Sequence, residues 1–152
     1  MACIPVVSTS RILSIFLCLL LGGALRSGMA QSDIRYQAGA EKMFSDALAL
    51  YTRGEYKDAA RVFGELLVMF PRSHRETAAR VMKGKALLLA GEYGEAERTL
   101  ASFSEQFPSS SYRADADYTL GLVSLYRQKP ERAVEFFLSA LRKAEPSNNE
   151  LR

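Results

Sequence analysis

Tryptophan is absent from this sequence, histidine occurs once, and cysteine occurs only as Cys3 and Cys18. These absences remove whole classes of chemistry. A zinc centre needs several His, Cys or carboxylate ligands converging on one point, and His74 has no such company in sequence. It follows Ser73 at an expected helix start, where a solvated side chain is the simplest reading. Charge of one sign is also lacking: 20 basic residues face 17 acidic ones. That near-balance, closer still once the leader is set aside, gives no reason to expect nucleic acid or an anionic lipid surface as partner. Glycine-rich phosphate loops are missing, because Gly22-Gly23 lies in the leader and Gly91 and Gly94 lie in a turn. Ser109, Ser110 and Ser111 have no base nearby in sequence. Asp115 and Asp117 resemble a catalytic carboxylate pair, but near a helix N-terminus they are better placed to complement the helix dipole. No enzyme activity, cofactor or metal is expected.

The longest mostly apolar stretch runs from Ile12 to Leu25, fourteen residues. That is short of the roughly 20 needed to cross a bilayer as a helix. Arg11 precedes it, and Gly28 and Ala30 occupy the minus-three and minus-one places of a signal peptidase site. Residues 1–30 therefore read as a secretory signal peptide cleaved after Ala30, with a retained membrane anchor as the competing reading. A lipoprotein signal would place small residues directly before its cysteine, whereas Ile15, Phe16 and Leu17 precede Cys18. Cleavage would remove both cysteines, leaving no disulfide, no thiol nucleophile and no stable membrane span. It would also remove Arg11 and Arg26, so that 18 basic residues face 17 acidic ones.

What the remaining chain does contain is a repeat. "GEYKDAARVF" (Gly54–Phe63) returns as "GEYGEAERTL" (Gly91–Leu100), 37 residues later. Ala59, Ala96 and Ala133 share this spacing, as do Phe63, Leu100 and Phe137. Phe70-Pro71 recurs as Phe107-Pro108, and Glu145-Pro146 follows one residue late. Each copy reads as two helices. Met43, Ala47, Leu50 and Tyr51, then Ala59, Phe63, Leu66, Leu67 and Phe70, follow helical spacing, and no sustained alternation supports strands. Gly54 suits the left-handed position of the intervening turn. The second copy pairs Arg75–Ala90 with Gly94–Phe107, and the third pairs Tyr112–Arg127 with Glu131–Ala144. Pro130 suits a first helical turn, and Ser73 with Glu76 forms a capping-box signature.

These features resemble the tetratricopeptide repeat. Leu120-Gly121 matches its Leu-Gly step, Gly84 matches the glycine alone, and Ala59-x₃-Phe63 and Ala133-x₃-Phe137 match its closing helix, with Leu100 in place of Phe in the second copy. The resemblance covers about Asp33 to Arg152. It implies an all-α solenoid of about three helical hairpins, with repeats near 41–72, 73–109 and 110–146 after a short linker, 31–40. The residues expected to pack the repeats are Ala59, Phe63, Pro71, Gly84, Ala96, Leu100, Pro108, Gly121, Ala133 and Phe137. The period is 37 where the repeat usually has 34, and the first large residue is Met43 but then Arg80 and Asp117. The longer spacing, with Phe-Pro and then Ser between repeats, is similar to a bacterial envelope subgroup. That subgroup includes the Tol–Pal system protein YbgF and the outer-membrane assembly lipoprotein BamD. The chain departs from the first in lacking room for an N-terminal coiled coil, and from the second in lacking a lipobox.

The resemblance implies a non-catalytic scaffold in the periplasm that binds proteins or peptides, in envelope assembly or cell division. In the family, the first helix of each pair lines a concave groove. The corresponding positions are Phe44, Leu48 and Tyr51, then Val81, Lys85 and Leu88, then Tyr118, Leu122 and Leu125. Tyr51 and Tyr118 are the strongest groove candidates, and core packing is the alternative reading for the set. With one lysine and no asparagine, the groove lacks the carboxylate clamp of some members.

The final helix carries more apolar surface than a terminal helix needs. Ala133, Val134, Phe136, Phe137, Leu138, Ala140, Leu141 and Ala144 span roughly 200° of its wheel, and terminal repeats normally turn a polar face outward. Ser147 and Glu150 repeat the capping signature, so 147–152 read as the start of a fourth repeat. Two expectations follow. The face is an interface for a partner or a homo-oligomer, or the chain is the N-terminal regulatory part of a longer envelope protein, such as a cell-wall synthase activator or a receptor.

Overall fold

The computed structural model describes residues 37–144, and among them the architecture is all-α. The expected signal peptide with its cleavage after Ala30, most of the linker, and the capping signature at Ser147 lie outside the described residues. Three helical hairpins follow one another. The first joins α1 (Ala38–Thr52) to α2 (Tyr56–Met69), and the second joins α3 (Glu76–Leu89) to α4 (Tyr93–Leu100) and the short α5 (Phe103–Gln106). The third joins α6 (Arg113–Tyr126) to α7 (Pro130–Ala144).

The turn within each hairpin is one structure built three times. Gly54 N–H donates to Tyr51 O at 3.1 Å and Glu55 N–H to Leu50 O at 3.0 Å. Gly91 and Glu92 make the same two bonds to Leu88 and Leu87, and Gln128 and Lys129 make them to Leu125 and Ser124. This is the Schellman arrangement, which needs a left-handed residue just past the helix. Gly54 (φ 81°) and Gly91 (φ 79°) supply it without strain, while Gln128 takes φ 57° with a side chain. Pro130 is then the first residue of α7, where its missing N–H has no helical partner to lose.

Two fully packed layers hold the hairpins together. Phe63 and Leu66 of α2 share a cluster with Ala79 and Ala86 of α3, joined by Ala47, Ala59 and Ala96. Val81, Leu100 and Phe103 of the second hairpin share another with Ala116 and Leu120 of α6. Small residues set the helix spacing. A Cβ on Gly84 would strike Leu100, and one on Gly121 would strike the Phe137 ring. Ala59, Ala96 and Ala133 are fully buried. Pro71 and Pro108 are exposed, contrary to the packing role expected of them; they stop α2 and α5 instead.

Two local expectations need correcting. The helix expected over Gly94–Phe107 breaks at Ala101-Ser102. Thr99, Ser102 and Ser104 are poor helix formers. Gln106 donates to Ser102 from its backbone N–H (3.0 Å) and from its Nε2 (2.8 Å), which restarts the helix. The break turns Phe103 into the core, 5.1 Å from Phe107. The capping box at Ser73 also does not form. Helix α3 begins at Glu76, Ser73 Oγ is buried with no partner among the described residues, and Glu76 accepts from the Arg72 N–H instead. Arg72 sits at φ 60°, so the chain turns sharply there and enters the helix beyond the reach of the Ser73 side chain.

Candidate partner-binding surface

Three positions on each first helix recur at the repeat spacing, and they fall into columns of different character. Phe44, Val81 and Tyr118 form one column. Phe44 is half-buried edge-on against Phe63, with centroids 5.5 Å apart, and the Arg75 guanidinium lies 4.7 Å above it. Val81 is fully buried and presents no surface, while Tyr118 is 52% exposed. The next column is Leu48, Lys85 and Leu122: Leu48 is exposed, Lys85 half-buried and Leu122 packed against the core. In the last, Tyr51 is half-buried, Leu88 is buried and Leu125 is 47% exposed. The nine positions therefore do not make one continuous open face. Val81 and Leu88 belong to the core because α4 and α6 close over them, Leu122 packs against it, and Leu48, Tyr51, Tyr118 and Leu125 offer surface.

Polar groups tie this surface down. Tyr51 packs edge-on to Tyr56 at 5.4 Å, and burial pushes its hydroxyl pKa up while the neighbouring Lys85 charge pulls the other way. Lys85 donates to Asp115 at 2.5 Å, linking the second and third hairpins. The one cation among the nine positions is thus paired within the chain. A carboxylate of a peptide would have to compete with Asp115 for it.

Charged bridges between hairpins were not legible from the spacing of like residues. Glu41 accepts from Arg75 Nε (2.7 Å) and Nη2 (2.6 Å) and lies 2.9 Å from His74 Nε2. These contacts hold its carboxyl at about 2, well below its ordinary 4.5. His74 is accordingly partly buried in a structural bridge, not solvated as expected. Glu97 pairs with both Arg127 and Arg132. The Asp115 and Asp117 carboxylates bridge helices: Asp117 is buried and accepts from Lys143 Nζ at 2.5 Å and from Ser104 at 3.3 Å. The signal that could have found these pairs is separation. Partners 30 to 35 residues apart, close to one repeat, pair adjacent hairpins.

At the far end, α6 and α7 flank an open cavity of about 550 Å³. Ala114 and Tyr118 line it from α6, Phe137, Ala140, Leu141 and Ala144 from α7, with Asp115 at the rim. Among the described residues no group of three or more His, Cys, Asp or Glu could hold a metal. No helix there is long and apolar enough to cross a membrane.

Hairpins stacked through alanine, glycine and aromatic positions, with apolar side chains left on their first helices, define a tetratricopeptide-type helical-repeat protein. More particularly, residues 36–148 match the YfiO family, described as outer membrane lipoprotein, and the chain belongs to that family. Of the two envelope proteins named above, this supports the BamD-like one and not YbgF. The match begins beyond Cys18 and the expected cleavage after Ala30. No curated protein matches the chain.

Proposed function

We propose that this protein is a non-catalytic scaffold of the bacterial envelope that binds protein partners during outer-membrane assembly. It would be exported by residues 1–30, cleaved after Ala30, and act in the periplasm. The observation that carries the reading is the family membership together with apolar side chains left open on the first helices. Leu48, Tyr51 and Leu125 would take apolar side chains of an extended peptide or a partner helix, with Phe44 and Leu122 as a packed floor. Lys85, held by Asp115, would contribute little to capturing a terminal carboxylate.

The test is site-specific photocrosslinking in the periplasm from positions 48 and 125, with position 68 as a control. Val68 is 80% exposed and lies on α2, the second helix of its hairpin. The proposal expects adducts with a component of the outer-membrane assembly machinery from positions 48 and 125 and none from position 68. Equal labelling from all three, or none from 48 and 125, would overturn it.

A further inference from the structure

The outer edge of the second junction carries more positive charge than its carboxylates balance. In the cleft between the first and second hairpins, each cation has its own acid. Lys57 pairs with Glu92 at 3.5 Å, Lys83 with Glu95 at 3.4 Å and Arg61 with Glu65 at 2.7 Å. One junction further on, a single carboxylate serves two guanidiniums: Glu97 accepts from Arg127 and, at 3.0 Å, from Arg132. Arg98, exposed on α4, makes no ion pair or hydrogen bond among the described residues. Arg98 and Arg127 line one cleft of about 380 Å³ between the second and third hairpins. Glu92 and Glu95 also border it, each already paired with a lysine. None of the nine first-helix positions lines this cleft. Two features shape it. Gly94 lies in the first turn of α4, where the other hairpins have Lys57 and Glu131. Glycine weakens a helix, and packing does not demand it here: the atom nearest an added Cβ would be Arg98 Nη1, at an ordinary 3.7 Å. Its effect is to leave the floor beneath Arg98 bare. Tyr93 forms a wall, its ring stacked on Tyr126 with centroids 5.1 Å and planes 9° apart, and Tyr126 is 63% exposed.

We propose that this cleft is a second partner site, which takes an Asp or Glu side chain of a partner protein between Arg98 and Arg127, with an apolar neighbour of that residue on Tyr126. A guanidinium is a planar fork that matches a carboxylate through two parallel N–H···O bonds. Glu97 already fixes one of the two guanidiniums, so less side-chain freedom is lost on binding. Tyrosine and arginine are also the residue types on which protein interfaces concentrate their binding energy. A phospholipid surface fits less well. Its charge is of one sign, whereas the rim carries Glu92 and Glu95 beside the two arginines. A protein segment with a base next to its acid complements both.

The probe is a blocked Phe-Glu-Lys tripeptide, titrated into the isotope-labelled full chain and followed by NMR. Saturable shifts are expected at the Gly94 amide and the Arg98 guanidinium, with a Kd of about 1 mM, the scale of a few charge-assisted bonds. A blocked Phe-Gln-Lys peptide should bind at least about tenfold more weakly. Arg98→Gln should weaken the acidic peptide by the same factor and leave thermal unfolding unchanged, because Arg98 bonds to nothing else among the described residues. Arg127 is the poorer choice, since its loss also releases Glu97. Gly94→Ala should raise the melting temperature yet weaken binding several-fold, a divergence that a purely structural role would not give. The proposal would be overturned by an absence of saturable shifts at Gly94 and Arg98, by equal binding of the glutamine peptide, or by binding that survives Arg98→Gln. Tighter binding of phosphatidylglycerol vesicles than of the peptide, lost in Arg98→Gln, would overturn it too, because the ligand would then be a lipid phosphate.

Discussion

Gln128 occupies the left-handed turn position that Gly54 and Gly91 occupy in the earlier hairpins, and it does so with a Cβ. A left-handed non-glycine residue costs about 1 kcal/mol. Gln128→Gly is therefore expected to raise stability by about 1 kcal/mol, read by urea denaturation. At Gly121 the direction reverses. A methyl group there meets the Phe137 ring, and Gly121→Ala should cost about 1–3 kcal/mol, the usual range for overpacking. Glu41 sets the acid limit of the first junction. Its carboxyl is held at about 2 by Arg75 and His74, below the ordinary 4.5, so the folded state binds that proton less readily than the unfolded one. The stability it contributes is present above about pH 4.5 and is lost as pH falls through about 2. Glu41→Gln should flatten the stability profile across that window, measured by chemical denaturation at successive pH values.

At the scale of elements, the helices themselves were legible because alanine, leucine and aromatic residues keep helical spacing in all three copies. The 37-residue offset located every hairpin turn. What the sequence concealed was the interruption of the second hairpin after Leu100. Serine and threonine lower helix propensity by amounts that packing usually overrides, and only the burial of Phe103 makes the break worthwhile. The exposure of the first-helix positions was partly legible. Spacing alone puts Val81 and Leu88 on the same face as Leu48 and Leu125, but it does not say which of them a neighbouring helix will cover. The ion pairs were invisible to a search for recurring residues, because each junction uses different ones: Glu41 with Arg75, Lys85 with Asp115, Glu97 with Arg127. The bridge of α6 to α7 through Asp117 and Lys143 makes a prediction of its own. Lys143→Ala leaves a buried carboxylate with only Ser104, and it should cost about 2–3 kcal/mol in thermal or urea unfolding. Lys143→Met paired with Asp117→Leu should recover most of that loss, because neither group is then stranded.

For the molecule as a whole, each hairpin leans only on its neighbours, so the middle one carries both junctions. Ala96 lies at 0% exposure between α3 and α4. Ala96→Leu should separate those helices and unfold the array in a single transition; melting like the parent would count against this packing. The whole-molecule claim is that a rigid stack presents apolar first-helix side chains to a protein partner and performs no chemistry of its own. It is tested most directly by calorimetric titration of the crosslinked partner, once identified, against a Leu48→Glu/Leu125→Glu chain whose helical circular dichroism matches the parent. The account predicts an affinity reduced about a hundredfold, because both leucine side chains leave the interface at once. Unchanged affinity in that folded double variant would contradict it.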